Sequence, residues 1–224
     1  MTSLSSNPKE RAYGRFTAQM ALDIAAPHTW PAAILPVAVA TSLAIATGYQ
    51  VSATLAVVLL AICILMQSSV NTFNDYYDYV KGTDSSEDDP TDAVLIYNNV
   101  NPRSALLFAI ALLISAFVLG GYVIYHAGLI PLAIGAVGAV FVVLYSAGKT
   151  PISYLPLGEA VSGIVMGGLI PLACYQVLTG VLTPLAMLWA LPEILGIGLI
   201  MCTNNTCDIE KDIVAHRRTL SVLL

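Results

Sequence analysis

Asn71, Asp75 and Asp78 stand at i, i+4 and i+7 in the stretch NTFNDYYDYVKGTD, a spacing that puts all three on one face of a helix. Acids stacked on one face repel, and at a helix C-terminus they also oppose the macrodipole, so the pattern costs stability unless a cation compensates. It occurs twice. In NNTCDIEKDIVAHRRTL, residues 204 to 220, Asn204, Asp208 and Asp212 stand at i, i+4 and i+8. Carboxylate and amide oxygens suit hard cations, and Mg²⁺ commonly keeps waters while bridging one or two carboxylates to phosphate oxygens. Two such segments facing each other would form a diphosphate clamp, with Lys149, Lys211, Arg217 and Arg218 available as cationic donors to the same oxygens. Asp84 follows the first segment in the loop, where Glu87, Asp88, Asp89 and Asp92 read more simply as solvated charge.

The elements that must carry these residues are membrane helices. Of 224 residues, 57% are hydrophobic and 10% charged, against about 25% charged in soluble domains; mean hydropathy is +0.79. Formal charge is absent from Ile24 to Asn74 and from Ser104 to Gly148, and between Ala160 and Cys207 only Glu193 carries it. Each of these stretches is 45 to 51 residues long, enough for two crossings of a hydrocarbon layer about 30 Å thick. Thr47-Gly48-Tyr49-Gln50, His126-Ala127-Gly128 and Thr179 to Pro184 supply the reversals, giving three hairpins and six helices. All nine Lys and Arg fall outside the hairpin tips, which assigns the N-terminus and the inter-hairpin loops to the cytoplasm. The first 15 residues form a polar cytoplasmic N-terminus with no clear cleavage site, so helix 1 is read as a retained span. The net charge of −5 argues against nucleic acid. Cys63, Cys174, Cys202 and Cys207 lack ligand spacing and read as packing residues.

The two acidic segments, with YSAGKTPISYLPLGE between them, resemble the signatures of the UbiA superfamily of intramembrane prenyltransferases. NDYxDxxKGxD and the closing RTL are most similar to the branch that prenylates 1,4-dihydroxy-2-naphthoate in menaquinone synthesis, as is APHTWPAAILPV, although Ala26 replaces an Arg common there. The resemblance runs from about Asp23 onward and implies an all-α membrane bundle forming one domain around a central cavity. Carried over by residue, it implies catalytic Asp75, Asp208 and Asp212 and Mg²⁺ held by Asp75, Asp78, Asp84, Asp208 and Asp212. It also implies substrate contacts from Asn71, Asn74, Lys81, Lys149, Asn204, Arg218 and Tyr145. His216 stands where the family commonly has Gly. Such enzymes usually have nine helices, so six are expected here, with an incomplete C-terminus and a partner chain as one way to supply the remainder. The implied reaction moves a polyprenyl group from its diphosphate to dihydroxynaphthoate with loss of CO₂, giving demethylmenaquinone at the inner or plasma membrane.

Other readings stay open at this point: a different aromatic acceptor such as 4-hydroxybenzoate, an inactive membrane subunit, or a cation transporter. The last fits less well, since transporters place ionisable groups near the midplane and these acids cluster at one face. Tyr76 and Tyr77 read as interfacial aromatics and Tyr145 as either that or a cation-facing ring. Glu159 suits the start of a helix or an acceptor hydroxyl, and Glu193 either a buried partner or a substrate contact.

Overall fold

The computed structural model describes residues 13–82, 93–146, 151–214 and 216–224, and the regular structure among them is helical throughout. In chain order the helices are α1 (Ala18–Ala25), α2 (Pro31–Ala46), α3 (Ala53–Lys81), α4 (Val94–Tyr97), α5 (Pro102–Ala127) and α6 (Ile130–Ser146). They continue with α7 (Gly158–Ile164), α8 (Ile170–Thr179), α9 (Leu185–Trp189), α10 (Leu191–Cys207), α11 (Ile209–Val214) and α12 (Leu220–Leu223). A π-helical turn, Val165–Leu169, joins α7 to α8 without a break. The three expected reversals occur where Gly48, Gly128 and Gly180 take φ of 87°, 76° and 75°, a region that side chains disfavour. Gly82, at φ 73°, ends α3 at the expected exit.

Among the described residues three helices are long and apolar enough to cross a membrane, Ala53–Val80, Pro102–Ala127 and Gly158–Thr179, or four if α1, its following turn and α2 count as one bent span. The six expected runs therefore stand in order, but not all of them are full spans by length. Helix 1 also departs from a single rod. Ala26 turns left-handed at φ 49° between Ala25 and Pro27, a 3-10 turn covers Pro27–Thr29, and Pro31 opens α2. Large apolar side chains such as Leu107, Phe117, Val118 and Leu199 are exposed, a surface that suits hydrocarbon. The four cysteines are free, and Cys174 is part of the core.

The helices group into two compact units, one of residues up to Trp30 with Ile64–Ala116, the other of Pro31–Cys63 with Phe117–Leu224. In the first, Ile24, Val94, Leu95, Val100 and Ala105 form the core, with Phe16, Met20 and Tyr79 against it. The fully buried Ala105 and Ala109 let α5 approach α3 closely enough for Ser69 Oγ to donate to the Ala109 carbonyl at 2.9 Å. In the second, Val37, Ala40, Leu43 and Ala44 of α2 pack with Cys174, Tyr175, Val177 and Leu178 of α8. Thr47 and Tyr175 pair their hydroxyls at 3.2 Å beside this core.

The tightest crossing in the second unit brings α7 and its π turn onto α10. A Cβ on Gly163 would collide with the Ile194 carbonyl, and one on Gly167 would lie 2.7 Å from the Ile194 backbone nitrogen. A Cβ on Gly198 would meet the Glu159 carbonyl at 3.4 Å. Gly163 and Gly167 are four residues apart, the small-xxx-small spacing by which membrane helices bring their backbones together where no hydrophobic effect drives association.

Gly163→Leu is expected to lower stability in detergent by roughly 1–3 kcal/mol through forced separation of this crossing. Gly120→Ala, in α5 where nothing lies within 4 Å, should be neutral or gain about 0.5–1 kcal/mol. Thermal unfolding of the two variants checks the contrast. The left-handed His216, at φ 57°, gives a further expectation: His216→Gly is tolerated, whereas His216→Val loses about 1–2 kcal/mol.

Candidate active site

The first acidic segment ends a continuous helix, because α3 runs without interruption past Val70 to Lys81. Asn71, Asp75 and Asp78 therefore share a face, and all three are partly exposed. Asn71 makes three side-chain hydrogen bonds. Its Nδ2 donates to the Ala25 carbonyl at 3.1 Å and to Thr29 Oγ1 at 2.8 Å, while its Oδ1 accepts from Gln67 Nε2 at 3.3 Å. One turn back, Trp30 Nε1 donates to Ser68 Oγ at 3.0 Å. These bonds meet the break after α1, where a carbonyl that has lost its helical partner needs a donor that lipid cannot supply. Asn71 thus fixes the first acidic segment to the irregular backbone before α2. Asn74 is exposed, and Tyr77 lies against Phe73 and Tyr76 with ring centroids 6.5 and 5.3 Å away. Asp84 and Lys149 lie outside the described residues.

The second segment is built differently. α10 ends at Cys207, Asp208 caps it with its amide on the Asn204 carbonyl at 3.1 Å, and α11 starts at Ile209. Asn204 and Asp208 are exposed, whereas Asp212 is only 2% exposed. Its Oδ1 accepts from Arg217 Nη1 at 3.3 Å and its Oδ2 from Thr219 Oγ1 at 3.2 Å. The Arg217 guanidinium also stands 5.1 Å over the Tyr154 ring, within cation–π range. Arg218 exposes its side chain while its amide donates to the Tyr154 carbonyl at 2.9 Å.

The middle loop reaches the same place. Tyr154 belongs to a 3-10 turn, Ile152–Tyr154, just before α7, and Tyr145 hydrogen-bonds Ser162 in a neighbourhood that includes Glu159, Arg217 and Asp212. Glu159, 6% exposed in the first turn of α7, accepts through Oε1 from Asn205 Nδ2 at 2.7 Å and from the Leu220 amide at 3.3 Å. Ser221, one residue on, pairs with Thr206 at 2.8 Å. The Arg218-Thr219-Leu220 run is therefore a tie: each residue bonds a different element around the second acidic segment.

Tyr145, Asp212 and the Arg218 backbone thus lie in one neighbourhood around Tyr154 and Glu159. Four participants were not singled out from the sequence as site partners: Gln67, Thr29, Asn205 and Thr219. Asn205 had a readable signal, since two adjacent Asn beside an acidic helix end offer two faces. Glu193 carries two buried carboxylate oxygens with no hydrogen-bond partner among the described residues, in the first turn of α10. The donor chemistry of Asp75, Asp78 and Asp208 is oxygen only, which fits a hard divalent cation. Among the described residues no three His, Cys, Asp or Glu side chains converge on one point, so such an ion would depend on substrate oxygens and water for the rest of its shell.

Comparison with known proteins identifies the family. A sequence model of the UbiA prenyltransferase family matches residues 33–224. The chain is 32% identical over 206 residues to the 1,4-dihydroxy-2-naphthoate octaprenyltransferase of Bacillus subtilis (strain 168), covering 92% of this chain and 66% of that protein. It is 30% identical to the UbiA prenyltransferase domain-containing protein 1 of Danio rerio and 27% to that of Homo sapiens, covering 88% of this chain and 59% of each relative. The chain thus spans about 60% to two thirds of the length of these relatives. A match that takes in α2 through α12, and with them both acidic segments, leaves no doubt about kinship: this integral membrane protein belongs to the UbiA prenyltransferase family.

Proposed function

We propose that the chain carries the diphosphate-binding part of a prenyltransferase that joins a polyprenyl group to an aromatic acceptor, with 1,4-dihydroxy-2-naphthoate as that acceptor. The observation that carries this reading is the repeated Asn-x-x-x-Asp pattern at the ends of α3 and α10 in a chain of this family. The acceptor follows from the likeness to the Bacillus subtilis naphthoate enzyme. Positive residues confined to one set of loops support a multi-pass protein of the cell membrane with its acidic segments on the cytoplasmic side.

In this reading Asp75, Asp78 and Asp208 hold Mg²⁺, with Asp84 and Asp212 as further acidic groups of the two segments. A bound Mg²⁺ would neutralise the diphosphate and improve it as a leaving group. Arg218, whose side chain is exposed, and Lys149 offer charge-assisted donors to the phosphate oxygens. Asn71 holds the first segment in place, while Asn74, Lys81 and Asn204, which neighbour the acids in sequence, bind the diphosphate. Tyr145 presents an aromatic face near the second segment, suited to an allylic cation. The apolar surroundings exclude water, so the cation meets an electron-rich ring carbon before it is quenched. The isoprenoid chain lies along the helices.

Membranes containing the chain, supplied with Mg²⁺, labelled polyprenyl diphosphate and dihydroxynaphthoate, are expected to form prenylated product, and chelation should abolish it reversibly. Asp75→Ala and Asp208→Ala should each lower the rate by about 10²–10³-fold, as expected when groups that stabilise transition-state charge are removed. Unchanged rates in both variants contradict the proposal, and preferential prenylation of 4-hydroxybenzoate would reassign the acceptor. A separate expectation concerns anchoring: Asn71→Leu leaves the Ala25 carbonyl without its donor and should cost about 1–3 kcal/mol, read by thermal unfolding in detergent.

A further inference from the structure

Glu159 is a buried acid that the proposed reaction does not use, yet it touches both flanks of the second acidic segment. Its Oε1 takes the Asn205 side-chain amide at 2.7 Å and the Leu220 main-chain amide at 3.3 Å. Asn205 lies three residues before Asp208, and Leu220 follows Thr219, which donates to Asp212. Its backbone is fixed as well, because its carbonyl packs where Gly198 leaves room on α10. The acid therefore sits on the α7/α10 crossing and bonds both the end of α10 and the start of α12, two segments that Ser221 also joins through Thr206 Oγ1 at 2.8 Å and the Cys202 carbonyl at 3.3 Å. Its other oxygen, Oε2, is buried without a hydrogen-bond partner among the described residues, so both of these contacts fall on Oε1. A buried carboxyl group kept for two hydrogen bonds on one oxygen is costly as a packing device. It is better suited to setting the position of groups that must not drift.

We propose that Glu159 is the positioning residue of the second acidic segment: by holding Asn205 and the Leu220 amide it sets where Asp208 and Asp212 stand, and so tunes Mg²⁺-dependent binding of the prenyl diphosphate. This rests on the functional reading above and extends it to a residue outside both acidic segments. Groups that orient metal ligands from outside the coordination sphere typically change metal affinity or activity about 10–100-fold when removed.

The test uses the full chain in detergent with labelled geranylgeranyl diphosphate, no acceptor present, and Mg²⁺ titrated, so that binding is read without turnover. Glu159→Ala is expected to raise the half-saturating Mg²⁺ concentration by about 10-fold or more and to speed amide hydrogen exchange in residues 216–224. Glu159→Gln keeps an acceptor at Oε1 and should recover most of both effects. Asn205→Asp sets two carboxylates against each other and should mimic the Ala variant. Combining it with Glu159→Gln exchanges donor and acceptor, restores the pair, and should rescue both readouts. Wild-type binding that needs Mg²⁺, together with unshifted curves in Glu159→Ala and Asn205→Asp, overturns the positioning role. Altered exchange without altered Mg²⁺ dependence also overturns it, reducing Glu159 to a structural tie. Wild-type protein with no Mg²⁺-dependent binding overturns the functional reading itself.

Discussion

The close approach of α7 and its π turn to α10 is the constraint on which the second half of the structure depends. Where lipid surrounds the helices, apolar side chains gain little by meeting one another, and association rests on backbone proximity and on hydrogen bonds. Gly163 and Gly167 supply the proximity, since neither position has space for a Cβ against Ile194. The crossing sets a register. Starting from Gly163 against Ile194, one turn back along α7 reaches Glu159, and the corresponding advance along α10 passes Gly198 toward Asn205. The polar contact forms at the end of an apolar crossing, and the turn that carries Asp212 is tied to it through Thr219 and Leu220. The π turn at Val165–Leu169 adds one residue to the helical repeat where the glycines meet α10, which keeps α7 and α8 in one run despite the close contact.

The two acidic segments share a spacing but not a means of support. Asn71 anchors the first by donating to backbone exposed at the break after α1, so the amide of the repeated pattern is itself the anchor. In the second, Asn204 is exposed and its neighbour Asn205 makes the anchoring bond, to an acid from another helix. Asp212 differs from Asp75 and Asp78 in the same sense, being buried between Arg217 and Thr219. A carboxylate offers about four lone-pair sites, so these two contacts hold Asp212 in orientation without using up its acceptor capacity. Each segment combines acids that reach solvent with a half-buried amide tether, Asn71 in one and Asn205 in the other, which is how a charged group can be held steady at the edge of an apolar bundle.

Much of this was legible in the sequence. Charge-free stretches and Gly-bearing reversals located the hairpins, because the bilayer leaves few alternatives to helices and reversals need permissive residues. Gly82 marked the exit of α3, and His216, at φ 57°, holds the left-handed backbone that Gly adopts more freely. The break at Ala26 was harder to read: Ala gives no hint of a left-handed backbone, and only Pro27 and Pro31, both after it, point to irregularity. Gly163-x-x-x-Gly167 was visible as a pattern, but nothing local says that its partner is Ile194. Glu159 was readable as an acid at a helix start, which it is; its bonds to residues 46 and 61 positions away depend on the fold, and spacing rules do not reach that far.

The reading proposed for this chain is that the segments ending α3 and α10 bind one diphosphate. A double-mutant cycle between Asp75→Asn and Asp208→Asn, read as the half-saturating Mg²⁺ concentration for prenyl diphosphate binding by the intact membrane protein, tests it most directly. If both acids act on the same bound diphosphate, the double variant should be little worse than either single one. Effects that add independently, or a shift caused by one substitution alone, would contradict the account.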